Sequence, residues 1–410
     1  MKKLFALLLS LAMVLALVAC GQKDPTPDTP DTPDDPQTKV EYKVAMITDY
    51  GDITDQSFNQ TTYEACKAFA EDNSIEFSYF RPAGDNTADR VAMIEKAVDE
   101  GFNVIVMPGY AFGGAIVEAA PEFPDVKFIA LDVAAGDLLE TAVAKAGEAY
   151  DYTPENWDLN KYVDMSNVYC AVYQEELCGY MAGYAAVKLG YKNLGFLGGM
   201  SVPAVVRYGY GFVQGVDAAA ADLGLTDVSL NYVYGGQFFG DADITAVMDT
   251  WYQGGTEVVF ACGGGIYTSA VDAAKKVGAK VIGVDVDQAG VIAKYAGVDG
   301  MTVTSAMKGL YPATYDTLTD VIVNGNWDKY VGKIETLGLV SGTDPEANYV
   351  QIPMGDGTQW SDSFTQDDYK AMVKDMFDGK ITVSNNTSSD VSAADFATVI
   401  TVDDQGSIKG

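Results

Sequence analysis

The densest set of groups able to do binding chemistry lies in Asp49 to Gln60, DYGDITDQSFNQ. These residues follow the apolar run Val44 to Thr48 and open an amphipathic run near Gln56, so a strand, an acidic turn and a helix start fall together. Such a turn aims helical N–H groups and side chains into the crevice at the carboxyl end of a parallel sheet, where open α/β folds bind ligands. Asp52, Thr54, Asp55 and Ser57 read as helix caps. Phe58 beside Asn59 sets a stacking face next to a hydrogen-bonding amide. Elsewhere Asp49, Asp132, Asp285 and Asp287 close apolar runs, while Gly198-Gly199 and Gly263-Gly264-Gly265 follow others, where bare backbone can approach a ligand. The glycine triplet is neither a dinucleotide fingerprint nor a phosphate loop.

Carboxylates converging on one cleft oppose an anionic ligand, because each would be desolvated beside like charge. They suit a neutral polyhydroxylated one. Phe58, Tyr208 and Phe238-Phe239 supply rings near the same strand ends. Core packing explains any one of them alone. Two facing rings with carboxylates nearby would sandwich a flat heterocycle while the acids bond a vicinal diol, and a nucleoside has both parts.

Composition removes several chemistries. The 410 residues are 48% hydrophobic and 20% charged, enough for a large core and more than one domain. A formal charge of −32 repels nucleic-acid phosphates and anionic membrane surfaces. With no histidine, Ser-His-Asp and Cys-His catalysis and histidine-ligated metals are excluded. The five cysteines, Cys20, Cys66, Cys170, Cys178 and Cys262, form no C-x-x-C pair, and the last four sit among apolar residues as small hydrophobes. No metal site and no cofactor is expected.

The elements that must position these groups follow a repeated grammar of apolar strand, loop and amphipathic helix, the signature of a parallel sheet. Strands are expected at Lys43 to Thr48, Ile75 to Phe80, Asn103 to Pro108, Lys127 to Asp132 and Asn167 to Tyr173, and the grammar restarts from Asn193 to Val286. Two sheets of similar make are predicted as tandem halves. Ala134 to Met165, acidic and Tyr-rich, reads as a surface insertion; Glu175 to Leu189 as a helix crossing between halves; and Thr302 to Met307 as a strand returning to the first half. The division expected is residues 41–173 with 301–325 in one lobe and residues 174–300 with 326–410 in the other, joined by a hinge that closes a cleft.

Ahead of this lies an address. Lys2 and Lys3 precede the apolar run Leu4 to Val18, too short for a comfortable membrane span and typical of a secretory signal covering residues 1–19. It ends in L-V-A-C-G, which looks like a bacterial lipobox and implies cleavage before Cys20 and lipid on that cysteine. Residues 20–40, rich in Pro, Asp and Thr, read as an extended tether.

Taken together, T-D-x-G-x-x-x-D-x-S-F-N-Q from Thr48, L-G-F-L-G-G-M from Leu194, R-Y-x-x-G-F-x-x-G from Arg207, F-G-D from Phe239, V-I-G-V-D-V-D-Q from Val281 and T-S-x-x-K from Thr304 resemble the basic membrane protein family. These are lipoprotein substrate-binding components of ABC importers, typified by purine-nucleoside-binding lipoproteins. The resemblance spans roughly Val44 to Gly325. It implies a periplasmic-binding-protein fold of the first type, an α/β architecture of two Rossmann-like lobes, working as a lipid-anchored monomer on the extracytoplasmic face of the cell membrane. The partners it implies are a purine nucleoside, a permease and its ATPase, with no nucleic acid. Carried over by position, Phe58 and Tyr208 would stack on the base, and Asn59 and Asp132 would bond its edge. Asp285 and Lys308 would hold the ribose, with Asp49 and backbone near Gly263 or Gly264 completing the pocket. Tyr208 stands where the family pattern has phenylalanine. The residues also fit a receptor for a sugar or other neutral solute, a lipid-anchored enzyme using Asp49 or Asp132 as general base, and a surface sensor or adhesin.

Overall fold

The computed structural model describes residues 41–409. The leader, Cys20 and the whole tether therefore lie outside the described residues. From Tyr42 onward the chain forms one compact unit built on two sheets.

The first half runs β1 (Lys43–Ile47), α1 (Phe58–Asn73), β2 (Glu76–Phe80), α2 (Thr87–Asp99), β3 (Val104–Pro108), α3 (Gly113–Ala119), β4 (Lys127–Leu131), α4 (Ala135–Lys145), α5 (Leu159–Tyr162) and β5 (Val168–Tyr173). β3 and most of β1, β4 and β5 are buried along their length, as strands covered on both faces must be. The second half runs α6 (Glu175–Lys188), β6 (Asn193–Gly198), α7 (Pro203–Leu223), β7 (Ser229–Tyr234), α8 (Ala242–Gln253), β8 (Val258–Cys262), α9 (Tyr267–Val277), β9 (Lys280–Asp285), α10 (Ala289–Ala296) and β10 (Thr302–Lys308). The remainder holds α11 (Leu310–Leu318), β11 (Ile334–Leu337), β12 (Val350–Gln351), α12 (Gln366–Phe377) and β13 (Thr401–Ser407).

The first sheet has the order β11-β5-β4-β3-β1-β2 and the second β12-β10-β9-β8-β6-β7-β13. Both thus share the sequence second-first-third-fourth-fifth, and every pairing within those five strands is parallel. Each sheet is packed on both faces: α2, α3 and α4 lie on one side of the first with α1 and α11 on the other, and α6, α7 and α12 oppose α8, α9 and α10 across the second.

Three expectations need correction. β10 does not return to the first lobe; it pairs in parallel with β9 and stays in the second sheet, and the chain returns to the first lobe only after it, at Gly309. The first lobe instead gains α11, where Tyr315 stacks edge-on to Phe69 and donates to Asp72 at 2.8 Å, and β11, which lines up beside β5. Residues beyond 326 are accordingly shared between lobes. Finally, the stretch from Ala134 is not all insertion: α4 buries Leu138, Leu139, Ala142 and Val143, completing the βα unit of β4, and surface elaboration begins only after Lys145.

The chain crosses between lobes three times, and the crossings are tied together. Gln174 N–H donates to Leu337 carbonyl at 3.0 Å, Gly309 N–H to Tyr349 carbonyl at 2.6 Å, and Tyr349 N–H to Gly338 carbonyl at 3.0 Å. Just past the first crossing, α6 meets α7 at backbone contact. A Cβ on Gly179 would lie 2.3 Å from Tyr208 carbonyl, and one on Gly211 would lie 2.1 Å from Glu176 carbonyl, so only glycine fits at either place.

Candidate functional site

Between the lobes lies a cavity of about 550 Å³, within the range of small-molecule sites. All nine residues expected at the site line it: Asp49, Phe58, Asn59, Asp132, Tyr208, Gly263, Gly264, Asp285 and Lys308. They come from the carboxyl ends of β1, β4, β8, β9 and β10 and from the starts of α1 and α7. Sequence order separates them by up to 259 positions; the shared strand polarity of two parallel sheets brings them to one place.

On the first-lobe side the turn after β1 is built around two aspartates. Asp49 Oδ1 accepts the N–H groups of Tyr50 and Gly51, at 2.6 and 2.8 Å. Burial pushes its carboxyl above the usual range, and those two amides pull it back. Asp55 caps α1 as expected, accepting from the N–H groups of Ser57, Asn59 and Gln60. Asn59 Nδ2 donates to Asp55 at 3.1 Å and lies 3.5 Å from Asp49, so two carboxylates fix which end of the amide is which. Its Oδ1 is buried with no hydrogen-bond partner among the described residues.

Ser57 departs from expectation. It makes no cap bond to the helix. Gln56, with φ of 58°, turns the chain so that Ser57 Oγ donates across the cleft to Asp285 Oδ2 at 2.5 Å. Gln288 Nε2 donates to Gln56 carbonyl at 3.2 Å, and the hydroxyls of Tyr50 and Tyr110 approach Met200 Sδ at 3.8 and 3.6 Å. Each of these contacts joins the lobes, which are therefore closed on the cavity.

Lys308, Asp132 and Asp285 line it together, and Glu175, outside the lining, joins their cluster. Lys308 Nζ lies 2.5 Å from Asp132 Oδ2 and 3.6 Å from both Asp285 and Glu175. Burial alone would favour a neutral amine, but the three carboxylates outweigh it and hold Lys308 charged. Glu175, wholly buried, also takes Arg207 Nε at 2.7 Å. Lys308 further sits 4.7 Å from the centre of the Phe58 ring and 5.6 Å from that of Tyr208, inside cation–π range. Asp132 keeps its second oxygen, Oδ1, buried and unpartnered among the described residues. Tyr208, 1% exposed, donates to Asp285 Oδ1 at 3.3 Å and packs edge-on against Phe260. Its extra hydroxyl, the departure from the family pattern, is thus spent on the aspartate.

Several lining residues escaped the sequence reading. Tyr50, Tyr110, Asp137 and Arg207 all face the cavity. Asp137, in the first turn of α4, accepts from Ala134 N–H at 2.7 Å; burial pushes its carboxyl up to about 7, against the pull of that amide and of Arg207. Arg207 stood inside one of the family motifs, and its signal was the single cation of that helix, placed next to Tyr208. Asp137 fell in the stretch read as a surface insertion, where nothing set it apart from the acids around it. In all, the lining carries six aspartates against three cations, Arg81, Arg207 and Lys308, and six aromatic rings, Tyr50, Phe58, Tyr110, Tyr208, Phe238 and Phe239.

Known proteins resemble the chain in sequence and in fold. Residues 42–343 match the family described as ABC transporter substrate-binding protein PnrA-like. The sequence is 25% identical over 389 residues to the ABC transporter nucleoside-binding protein BmpA of Lactococcus lactis subsp. cremoris, covering 92% of this chain and 96% of that protein. It is 26% identical over 322 residues to basic membrane protein B of Borreliella burgdorferi, covering 76% and 83%. Among solved structures, an ABC transporter solute-binding protein from Aeropyrum pernix superposes with a TM-score of 0.60 at 19% identity, covering 83% of this chain and 87% of that one. One from Conexibacter woesei gives 0.58 at 20%, covering 84% and 99%. These likenesses carry the fold, a periplasmic-binding-protein-like α/β architecture of two lobes.

Proposed function

We propose that this chain, which belongs to the Bmp family of PnrA-like substrate-binding proteins of ABC transporters, closes its two lobes on a purine nucleoside. It is a solute-binding lipoprotein of an ABC importer on the extracytoplasmic face of the cell membrane, a transport component and not an enzyme. The nucleoside is the further step.

The observation that carries it is the pairing of two unpartnered buried acceptors, Asn59 Oδ1 and Asp132 Oδ1, with an aromatic lining of net negative charge. Buried acceptors left unmade cost on the order of 1–3 kcal/mol each, so the cavity selects a ligand bringing donors. The surplus of carboxylates rejects phosphates, and with them nucleotides. A flat ring with N–H groups meets both demands, stacking on Phe58 while its edge donates to Asn59 and Asp132. The diol falls to Lys308 and Asp285; the latter is held by Ser57 and Tyr208, yet each carboxylate oxygen keeps a second lone pair for a hydroxyl. The bare backbone at Gly263 and Gly264, both at positive φ, completes the wall. That BmpA is named a nucleoside-binding protein supports the same reading.

The test is thermal stabilisation across purine nucleosides, free bases, ribose, hexoses and nucleoside monophosphates. A ligand at a hundredfold excess over Kd adds about 2.7 kcal/mol to folding stability. Purine nucleosides should raise Tm clearly while ribose, bases and monophosphates do not, and Phe58→Ala should remove the response. A response to hexoses alone would replace the nucleoside with a sugar.

A further inference from the structure

Phe238 and Phe239 reach the cavity from the loop between β7 and α8. Gly235, Gly236 and Gly240 flank the pair, so the loop has little stiffness of its own. It is held from two sides. On the cavity side, Gly265 N–H donates to Phe238 carbonyl at 2.9 Å, and the Phe238 ring lies so close to Gly199 and Gly263 that a Cβ there would come within 2.4 and 2.9 Å of it. On the outer side stand β13 and the residues just after it. β13 runs parallel to β7 as far as Ser407 opposite Tyr234, and Ile408 N–H donates to Tyr234 carbonyl at 2.8 Å. Lys409 then passes over Gly236, its Nζ donating to Gln237 Oε1 at 2.9 Å and pairing with the Asp241 carboxylate. Gln237 Nε2 in turn donates to Phe239 carbonyl and to Asp241, each at 2.9 Å. Lys409 therefore completes a triangle of polar contacts with Gln237 and Asp241, which flank the two phenylalanines in sequence.

The approach to that position is fixed as well. Asp217 on α7 accepts the N–H groups of Thr398 and Val399 at 2.8 Å and of Ile400 at 3.2 Å, with the Thr398 hydroxyl at 2.6 Å. Trp251 Nε1 donates to Gln405 at 3.2 Å. All of these tail residues lie beyond residue 343, where the family match ends.

We infer that the C-terminal strand braces the aromatic loop of the cavity and that Lys409 is the positioning residue that sets Phe238 against a bound flat ring. The second half of this statement rests on the nucleoside reading. Lys409 does not line the cavity, so its effect travels through Gln237 and Asp241.

Two measurements on the full chain test it, with Lys409→Ala and the charge-keeping Lys409→Arg. Without ligand, amide hydrogen exchange over Gly236 to Asp241 should quicken severalfold in Lys409→Ala, with the melting transition nearly unmoved, and return toward the parent rate in Lys409→Arg. By calorimetry, Lys409→Ala should weaken purine-nucleoside binding by about threefold to fivefold, the ceiling for a partly exposed ion pair, with Lys409→Arg within twofold of the parent. Unchanged exchange in Lys409→Ala overturns the brace. Quickened exchange with unchanged affinity overturns the positioning role. If the parent chain binds no nucleoside, the functional reading is lost and the exchange measurement alone decides whether the brace stands.

Discussion

Asp132 and Asp285 hold equivalent places in the two lobes. Each ends the fourth strand of its sheet, and each has left-handed backbone, with φ of 58° and 64°. Their neighbours make them different. Asp285 has both oxygens engaged by protein, Ser57 from the opposite lobe on one and Tyr208 on the other. Asp132 is gripped on one oxygen by Lys308 and keeps the other buried and unpartnered among the described residues. Equal topology therefore fixes where a carboxylate sits; the residues around it decide how many of its oxygens the protein itself engages.

The largest expected effect comes from the recognition side. Asp132→Asn keeps the shape but strips Lys308 of its nearest counter-charge and replaces one acceptor with a donor. On the proposed nucleoside reading, affinity should fall by about 100-fold, and Tm should drop because a buried cation loses its partner. Calorimetry giving a Kd near the parent value would show that Asp132 is a structural counter-ion and nothing more.

A smaller loss is expected from closure. Ser57→Ala leaves Asp285 Oδ2 without its cross-cleft donor, and a hydrogen bond to a charged group contributes about 1.5–3 kcal/mol. Affinity should fall by about tenfold, and small-angle scattering of the unliganded variant should show a larger radius of gyration. Were scattering and affinity both unchanged, the contrast between the two aspartates would collapse.

The smallest effect concerns Asp137, which shares the first-lobe wall with Asp132. Its folded value of about 7 exceeds the usual value, 3.8, so between the two the folded state binds more protons than the unfolded one. Stability from this group is accordingly highest at acid pH and is lost as pH rises toward 7. Asp137→Asn should melt roughly 2–4 °C higher than the parent at pH 8, with the gap closing by pH 4. A gap that does not change with pH would mean that Asp137 keeps an ordinary value.

Much of this was legible in the sequence because it is local. Apolar runs ending in Asp49, Asp132 or Asp285 declare strand, end and acid within a few residues, and parallel strands deliver those ends to one side. The illegible part is non-local. Thr302 to Lys308 is buried on both faces, and nothing in such a run says which sheet it joins; that is decided by pairing with β9. Ser57 looked like a cap because serine before a helix usually is one; its partner lies 228 positions away. With α4, by contrast, the signal was present. Leu138, Leu139, Ala142 and Val143 have helical spacing, obscured by the tyrosines and acids after them.

The glycine contacts between α6 and α7 have a mechanical consequence. With two backbones touching at Gly179 and Gly211, the helices have no side-chain cushion between them through which to slide. α6 begins at Glu175, beside the first crossing between lobes, and α7, from Pro203, carries Arg207 and Tyr208 in the cavity wall, so the two form one lever. Any rotation at the crossing is delivered undamped to the groups that face the ligand, and any ligand that shifts those groups pushes back on the crossing. Occupancy of the cavity and the angle between lobes become a single variable, the one a docked permease has to read.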